Sequence, residues 1–302
     1  MLRTRPQTTR KKAAEVLSPS TLPRVPGWGS IRSGPLLGIS GIGSEETTMA
    51  DLVVTNKVTK KFASLTAVSQ VDFRVHEGEA AGVIGPNGSG KTTLFNLLSG
   101  YFMPTAGTIR FLGGDITHTS SHQRVGMGMA RTFQLVSVFD SLSTWENLVL
   151  STSRRNGANP AGLSFFFGRV RRRGILQDCE AALDMVGLLK DATRRTSELP
   201  YGDKRMLEIA IALSLKPKVL LLDEPFAGLS DHEISQVVKL IERIKGSLAV
   251  VIIEHKISKI AELVERLWVM NDGRLICEGS PAEVLSDPLV RECYWGKEGA
   301  LD

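Results

Sequence analysis

The chain has 302 residues, 42% of them hydrophobic, and a formal net charge of +5. This length allows a large buried core, and no apolar run approaches the roughly 20 residues that cross a bilayer, so we expect a chain that does not span a membrane by itself. The three cysteines are scattered and lack metal-ligand spacing, which excludes a cysteine metal site and indicates a reducing, cytosolic setting.

Residues 1–48 form a distinct first segment with seven basic and three acidic side chains. Most of the net charge lies here, so the basic balance does not indicate a nucleic-acid or lipid surface on the rest of the chain. The segment is rich in Arg, Ser, Thr, Pro and Gly and has no apolar signal region, which predicts a disordered basic tail. An organellar transit segment and a start codon upstream of Met49 remain open alternatives.

From Leu52 onward, short β-type runs alternate with helical patterns. The runs at 80–85, 219–223 and 249–254 are almost wholly apolar. Strands buried on both faces belong to a parallel sheet that helices cover, so we predict an α/β fold. Residues 135–198 carry few strand signals and are a candidate helical insertion.

A glycine-rich loop follows the first apolar strand. Its sequence, GPNGSGKT, has the G-x-x-x-x-G-K-[ST] spacing and leads into a helical run. The glycines let backbone N–H groups converge on phosphates, Lys91 can reach the β- and γ-phosphates, and Thr92 can ligate Mg²⁺. The strand–loop–helix context favours this interpretation over a plain glycine-rich turn. The predicted phosphate-binding residues are Gly85, Pro86, Asn87, Gly88, Ser89, Gly90, Lys91 and Thr92.

An acid pair ends the second apolar strand. Asp223 lies at the carboxyl end of that strand, where open α/β sheets bind ligands, and we predict it as a Mg²⁺ ligand. Glu224 would polarise an attacking water, as a general base or a water-positioning group. A solvated acid pair is the alternative, which the neighbouring phosphate loop disfavours.

Two more polar side chains follow strand-like runs. His255 comes after the third apolar strand, so it lies at the same sheet edge, where an imidazole can donate to the γ-phosphate. Gln134 ends the run ARTFQ and can bind Mg²⁺ or the attacking water. The alternatives are a structural histidine and a surface glutamine.

Together these motifs resemble the ABC-transporter ATPase family over nearly all of 49–302. In the family's order they are Walker A at 85–92, the Q-loop at Gln134, the signature at 199–203, Walker B at 219–224 and the H-loop at His255. Finer details, such as ARTFQ, DEPFAGL, IEHK and the ending GSPAEVLSDPLVRECYWG, are similar to the ATP-binding subunits of branched-chain amino-acid importers. Urea importers share much of this pattern.

The resemblance implies an α/β fold of P-loop NTPase (RecA-like) type, with a core sheet, a helical subdomain insertion and an antiparallel β subdomain. The ATPase domain would span 49–302, with its core and antiparallel part at 49–134 and 199–302. The helical subdomain, about 135–198, would receive the coupling helix of a transmembrane permease. Its segment GLSFFFGRV would face that partner or pack among the helices.

The resemblance also implies an ATP sandwich dimer, in which each ATP lies between the Walker A of one subunit and the signature of the other. Phe62 would stack on adenine, with core packing as its alternative. The residues lining the phosphates and Mg²⁺ would be Ser89, Gly90, Lys91, Thr92 and Thr93. The metal ligands would be Thr92, Gln134 and Asp223, and the catalytic residues would be Glu224, His255 and Gln134. The site of the neighbouring subunit would be completed by Tyr201, Gly202 and Asp203.

Three positions depart from the family pattern. Pro200 stands where the signature usually has a serine, so the usual serine hydrogen bond to phosphate cannot form; Gly202 and the helix N-terminus remain available to phosphate. Ile211 replaces an arginine common in the following helix, and Ser230 occupies the D-loop aspartate position. These changes concern communication between subunits and leave ATP binding intact.

The leading hypothesis is therefore an importer ATPase that uses ATP and Mg²⁺. Its partners would be a second ATPase subunit, permease subunits and, indirectly, a substrate-binding protein, with no nucleic acid. It would be cytoplasmic and peripherally attached to the inner face of the plasma membrane. A soluble non-transport ABC ATPase, a P-loop small-molecule kinase and a catalytically weak partner in a heterodimer remain as rivals.

Overall fold

The structure is a computed structural model, and it describes residues 50–134, 136–155 and 169–295. The predicted basic tail at 1–48 lies outside these residues, as do the first seven positions of GLSFFFGRV, 162–168.

The described residues form two sheets and a set of helices. The strands are β1 (Asp51–Phe62), β2 (Leu65–Val71), β3 (Arg74–His76), β4 (Ala80–Ile84), β5 (Ala106–Phe111), β6 (Gly114–Asp115), β7 (Met129–Arg131), β8 (Val219–Asp223), β9 (Ala249–Ile253), β10 (Arg266–Asn271) and β11 (Arg274–Gly279). The helices are α1 (Lys91–Leu98), α2 (Ser121–Met127), α3 (Thr144–Arg155), α4 (Arg169–Met185), α5 (Tyr201–Ser214), α6 (Asp231–Ile244), α7 (Ile257–Leu263), α8 (Pro281–Ser286) and α9 (Pro288–Trp295).

The larger sheet has the strand order β11-β10-β4-β9-β8-β7, and only its β10–β11 pair is antiparallel. Alternate residues of its strands enter two different cores. In β8, Leu220 and Leu222 pack into the core that includes helices α5 and α6, whereas Val219 and Leu221 pack into the core shared with the smaller sheet. This two-sided burial explains the apolar runs and confirms the predicted α/β fold with a parallel sheet.

The smaller sheet is antiparallel, with order β2-β1-β5-β6 and β3 also paired to β1. The sequence pattern predicts one strand at 71–75, and this prediction is wrong, because the chain divides there between β2 and β3. The Asp72 carboxylate in that break accepts a hydrogen bond from the backbone N–H of Lys57 at 2.6 Å. Lys57 has a left-handed φ of 47°, which marks the irregularity in β1 that the break accommodates.

The described residues between the Q-loop and the signature include two helices, α3 and α4, with irregular segments before α3 and after α4. Helices α3 and α4 pack with α5 around Leu148, Cys179 and Leu183, all with no exposed surface. Two short 3₁₀ turns, Leu189–Asp191 and Thr196–Glu198, lead back to α5. No helix within the described ranges is long and apolar enough to cross a membrane.

Arg124 on α2 is fully buried and holds the end of α1. Its Nη1 donates to the carbonyls of Leu97 and Leu98, both at 2.6 Å, and its Nη2 donates to Ile116 at 2.6 Å. Burial lowers the pKa of Arg124 to about 10, so the side chain stays charged at neutral pH. A cation at a helix C-terminus opposes the negative end of the helix dipole, so Arg124 fixes where α1 ends.

We expect Arg124→Met to lower the free energy of unfolding by at least about 2 kcal/mol, because several buried carbonyls lose their donor. Urea unfolding followed by circular dichroism measures the loss. Arg110→Met on β5 is the control, since Arg110 is exposed, and its change should stay within about 0.5 kcal/mol. Equal losses in both variants would contradict the role given to Arg124.

Candidate functional site

The candidate site lies at one edge of the larger sheet. Strands β7, β8, β9 and β4 run parallel, so their carboxyl ends meet there. The loops that follow these four strands carry the predicted Q-loop, acid pair, histidine and phosphate loop. The parallel pairing is therefore what brings these separate sequence motifs together.

The loop after β4 wraps around the Lys91 ammonium group. Lys91 Nζ donates to the carbonyls of Gly85 at 2.7 Å and Pro86 at 2.9 Å, and to Ser89 Oγ at 3.4 Å. Burial lowers the pKa of Lys91, while the charges of Glu224 and Asp223 oppose that shift. The loop carbonyls thus accept the hydrogen bonds of Lys91 Nζ, and an anionic ligand bound in the loop could replace them as acceptors.

The hairpin between β10 and β11 supports the phosphate loop from behind. The backbone N–H of Gly273 donates to the Ser89 carbonyl at 3.0 Å, and the Gly273 carbonyl accepts from Ser69 at 2.8 Å. Gly90 has a φ of 103°, and a Cβ there would lie 2.5 Å from the Ala67 carbonyl oxygen. Only glycine fits this close approach, so the phosphate loop packs tightly between β2 and the β10–β11 hairpin.

Glu224 contacts both of the other predicted catalytic residues, Gln134 and His255. Gln134 Nε2 donates to Glu224 Oε2 at 2.9 Å, and His255 Nε2 lies 3.0 Å from Glu224 Oε1. Glu224 has a left-handed φ of 48°, and its N–H donates to the Ile253 carbonyl at 2.9 Å. A non-glycine residue in this conformation is strained, which is common where a functional side chain must be aimed.

Asp223 is 2% exposed, and its two carboxylate oxygens differ. Oδ2 accepts a 2.8 Å hydrogen bond from Arg131 Nη2, while Oδ1 is buried and has no hydrogen-bond partner among the described residues. Burial raises the pKa of Asp223, and the hydrogen bond and charge of Arg131 oppose that rise. An unpartnered buried carboxylate oxygen is the kind of hard ligand that Mg²⁺ takes, so the residues fit the predicted cation.

The phosphate loop opens into a cleft of about 540 Å³. Its lining residues are Phe62, Leu65, Thr66, Ala67, Asn87, Gly88, Ser89, Gly90, Lys91, Thr92, Thr93, Glu224, His255, Asp272 and Gly273. Phe62 is 39% exposed, which rules out core packing as its role. Its ring meets Phe102 edge-on at 5.2 Å, and Lys60 Nζ lies 5.1 Å from its centroid.

The signature segment lies outside the cleft. Tyr201, Gly202 and Asp203 are not among the described residues that line the cleft. Helix α5 begins directly after Pro200, whose carbonyl accepts from Lys204 at 3.0 Å, so the proline is compatible with a helix start.

Gly202, predicted to remain available to phosphate, is buried against Glu233 of α6, and a Cβ at Gly202 would overlap that carboxylate. Hydrogen bonds from Ser230 and from the backbone of Gly202 lower the pKa of Glu233. In this structure the Gly202 N–H therefore has an acceptor within the chain itself.

Two charged residues of α5 hold the Q-loop backbone, and the sequence analysis missed both. Arg205 is fully buried and donates to the carbonyls of Phe133 at 2.8 Å and Gln134 at 2.7 Å. Glu208 accepts from the Phe133 N–H at 3.0 Å and from Arg205 at 2.8 Å. The spacing of Arg205 and Glu208 on one helix face was visible in the sequence, but their targets were not.

Glu254 was also missed, although it directly precedes His255. It is 3% exposed. Its Oε1 accepts from the backbone N–H of Phe226 at 2.8 Å, and its Oε2 accepts from the backbone N–H groups of His255 at 2.8 Å and Lys256 at 3.2 Å. The carboxylate thus joins the loop after β8 to the loop after β9 and sets the distance between Glu224 and His255.

Comparisons with known proteins match the sequence to two families. The ABC transporter family matches residues 68–227, and the branched-chain amino acid ATP-binding cassette transporter family matches residues 274–299.

LivG of Salmonella typhimurium, a high-affinity branched-chain amino acid transport ATP-binding protein, is 34% identical over 250 residues, covering 82% of this chain and 98% of LivG. BraF of Pseudomonas aeruginosa, with the same description, is 33% identical over 269 residues, covering 88% of this chain and 99% of BraF. A solved ATP-binding cassette of an ABC transporter in its ADP conformation has a TM-score of 0.72 at 28% identity, covering 82% of this chain and 100% of that chain.

We expect Glu254→Gln to lower kcat for ATP hydrolysis by about 10- to 100-fold, because one of the two carboxylate oxygens that accept from backbone N–H groups becomes an amide NH₂ donor and the two loops shift. ATP affinity, measured by calorimetry, should fall much less than kcat, since Glu254 is not bonded to the phosphate loop and does not itself line the cleft. The control is Glu242→Gln on α6, which is exposed and should hydrolyse ATP as the unchanged protein does. A parallel loss of ATP affinity in Glu254→Gln would contradict this assignment.

Proposed function

Because the chain belongs to the ABC transporter ATP-binding family, we propose that it hydrolyses ATP to power an importer of branched-chain amino acids or a related small polar solute. The single observation that carries this proposal is the convergence of Gln134 and His255 on Glu224 at the edge of the phosphate-loop cleft. A protein that only bound nucleotide would not require this arrangement beside the phosphates.

The proposed reaction assigns a role to each group in the cleft. Lys91 would exchange its loop carbonyls for the β- and γ-phosphate oxygens of ATP. Glu224 would accept a proton from the water that attacks the γ-phosphorus, as the bond from that phosphorus to the bridging oxygen breaks and ADP leaves. His255 would donate to a γ-phosphate oxygen, and Phe62 would stack on the adenine.

Thr92, Gln134 and Asp223 would hold Mg²⁺. A divalent cation supplies positive charge next to the phosphate oxygens, which offsets the charge that develops during phosphoryl transfer. Gln134 Nε2 donates to Glu224, so the side-chain carbonyl oxygen of Gln134 would serve the cation.

We propose that two copies, or this chain and a related one, enclose each ATP. The placement of Tyr201, Gly202 and Asp203 outside the cleft supports this, because in a sandwich those residues serve the neighbouring subunit. The Gly202 N–H would then leave Glu233 for phosphate.

The further proposed partners are permease subunits and, through them, a substrate-binding protein. LivG and BraF are named as branched-chain amino acid transport proteins, which supports this class of solute. We place the chain in the cytoplasm, attached to the inner face of the plasma membrane through the helical region at about 135–198.

Pro200 favours a second candidate, a heterodimer in which this chain is the weaker catalytic partner. Without the serine hydroxyl, the site that this chain completes for its neighbour lacks one hydrogen bond, worth about 1.5–3 kcal/mol to a charged group. ATPase activity of the purified chain alone distinguishes the two, because a homodimer should hydrolyse ATP without another ATPase subunit.

We expect Glu224→Gln to trap an ATP-bound dimer, because the amide cannot take the proton from water while the cleft still binds nucleotide. Gel filtration with ATP and Mg²⁺ should show twice the monomer mass. The control Glu262→Gln, on the exposed face of α7, should elute as the unchanged protein. A Glu224→Gln variant that stays monomeric at every ATP concentration would count against the sandwich.

We expect the chain to sediment with membranes only when permease subunits are co-expressed, because no described helix can anchor it in a bilayer. Ultracentrifugation of lysates with and without the permease genes provides the measurement. Equal sedimentation in both lysates, or none in either, would favour a non-transport ABC ATPase.

A further inference from the structure

We propose that Arg131 is a positioning residue for the divalent cation, acting through Asp223. It holds one oxygen of the Asp223 carboxylate and so leaves the other as the cation ligand. This inference rests on the proposed function, which assigns Mg²⁺ to Asp223.

The asymmetry of the carboxylate is the first observation. Arg131 Nη2 and Asp223 Oδ2 are 2.8 Å apart, and the two side chains are 7% and 2% exposed. Oδ1 is buried and has no hydrogen-bond partner within the described part of the chain. A buried carboxylate would normally satisfy both oxygens, so a free oxygen next to a satisfied one indicates a ligand that approaches from one side.

The guanidinium group is itself held rigidly. Arg131 Nη1 donates to Asn96 Oδ1 on α1 at 2.6 Å and to Ser99 Oγ, directly after α1, at 3.0 Å. Its Cζ atom lies 5.7 Å from the ring centroid of Phe95 and 5.3 Å from that of Phe133. These contacts fix the plane of the guanidinium group, so its Nη2–H points toward Asp223 Oδ2.

The position of Arg131 connects three parts of the site. It lies at the end of β7, three residues before Gln134, it is bonded to the helix that starts at Lys91, and it contacts the last residue of β8. The Arg131 guanidinium therefore connects α1, which follows the phosphate loop, and Phe133, next to Gln134, with Asp223. Loss of the Arg131 guanidinium would let the Asp223 carboxylate rotate and would remove the distinction between its two oxygens.

Lysine at position 131 is the informative substitution. An ammonium group keeps the charge but lacks the planar fork, so it cannot bond α1 and Asp223 at once with the same geometry. We expect Arg131→Lys to weaken binding of Mn²⁺ to the ATP-loaded protein by about 10- to 100-fold, measured by electron paramagnetic resonance of the free ion. ATP binding in EDTA, measured by calorimetry, should stay within about twofold of the unchanged protein.

Two comparisons separate positioning from general support of the fold. Arg124→Lys is the matched control, because Arg124 is also a buried arginine that bonds α1 but does not touch Asp223. It should leave Mn²⁺ binding unchanged. In the double variant Arg131→Lys/Asp223→Asn, the loss of Mn²⁺ affinity should not exceed that of Asp223→Asn alone, because Arg131 acts through that carboxylate.

Asn96→Ala keeps the proposal testable if Arg131→Lys does not fold. It removes one anchor of the guanidinium without altering Asp223, and it should weaken Mn²⁺ binding in the same direction and by less. If Arg131→Lys and Asn96→Ala both bind Mn²⁺ as the unchanged protein does, or lose ATP affinity equally with and without the cation, the inference is overturned.

The outcome for Asp223→Asn alone tests the premise. If that variant binds Mn²⁺ as tightly as the unchanged protein, the cation does not use Asp223, and both that assignment and the role of Arg131 fail. If Asp223→Asn loses Mn²⁺ and the Arg131 variants do not, only the inference about Arg131 fails.

Discussion

The parallel pairing of β4, β9, β8 and β7 is the constraint on which the site depends. Each strand ends at the same edge of the sheet, and each is followed by a loop that carries one part of the site. The sequence of one loop does not set its position relative to the other three. Their geometry comes from the sheet beneath them and from the buried side chains that connect one loop to the next.

Three buried carboxylates connect those loops, and their hydrogen-bond partners differ. Glu254 is bonded to backbone N–H groups, and Glu208 to backbone N–H groups and to Arg205, so both act as supports. Asp223 differs, since only one of its oxygens has a partner in the described residues. The contrast separates a carboxylate that holds the protein together from one that is prepared for a ligand.

The sequence predicts those parts of the fold and site that depend on local pattern. The apolar run at 219–223 indicates a strand buried on both faces, and the spacing of Gly85 to Thr92 indicates a phosphate loop before any contact is known. Arg131 and Glu254 could not be assigned in this way. Each is a charged residue beside a motif, and its meaning lies in a partner far along the chain: Arg131 and Asp223 are 92 positions apart. The break between β2 and β3 could not be predicted either, because it depends on the hydrogen bond between Asp72 and the backbone N–H of Lys57 on the neighbouring strand β1.

The order of the strands in the larger sheet has a consequence for synthesis on the ribosome. Strand β4 lies between β10 and β9, and the Ala80 N–H at its start donates to Glu265, 185 positions later. At roughly 5–20 residues per second, a growing chain would expose its phosphate loop for about 10 to 40 s before both neighbouring strands are made. Gly273, which supports that loop from behind, emerges later still. The support that Gly273 gives to the phosphate loop is therefore available only after nearly the whole chain has been made.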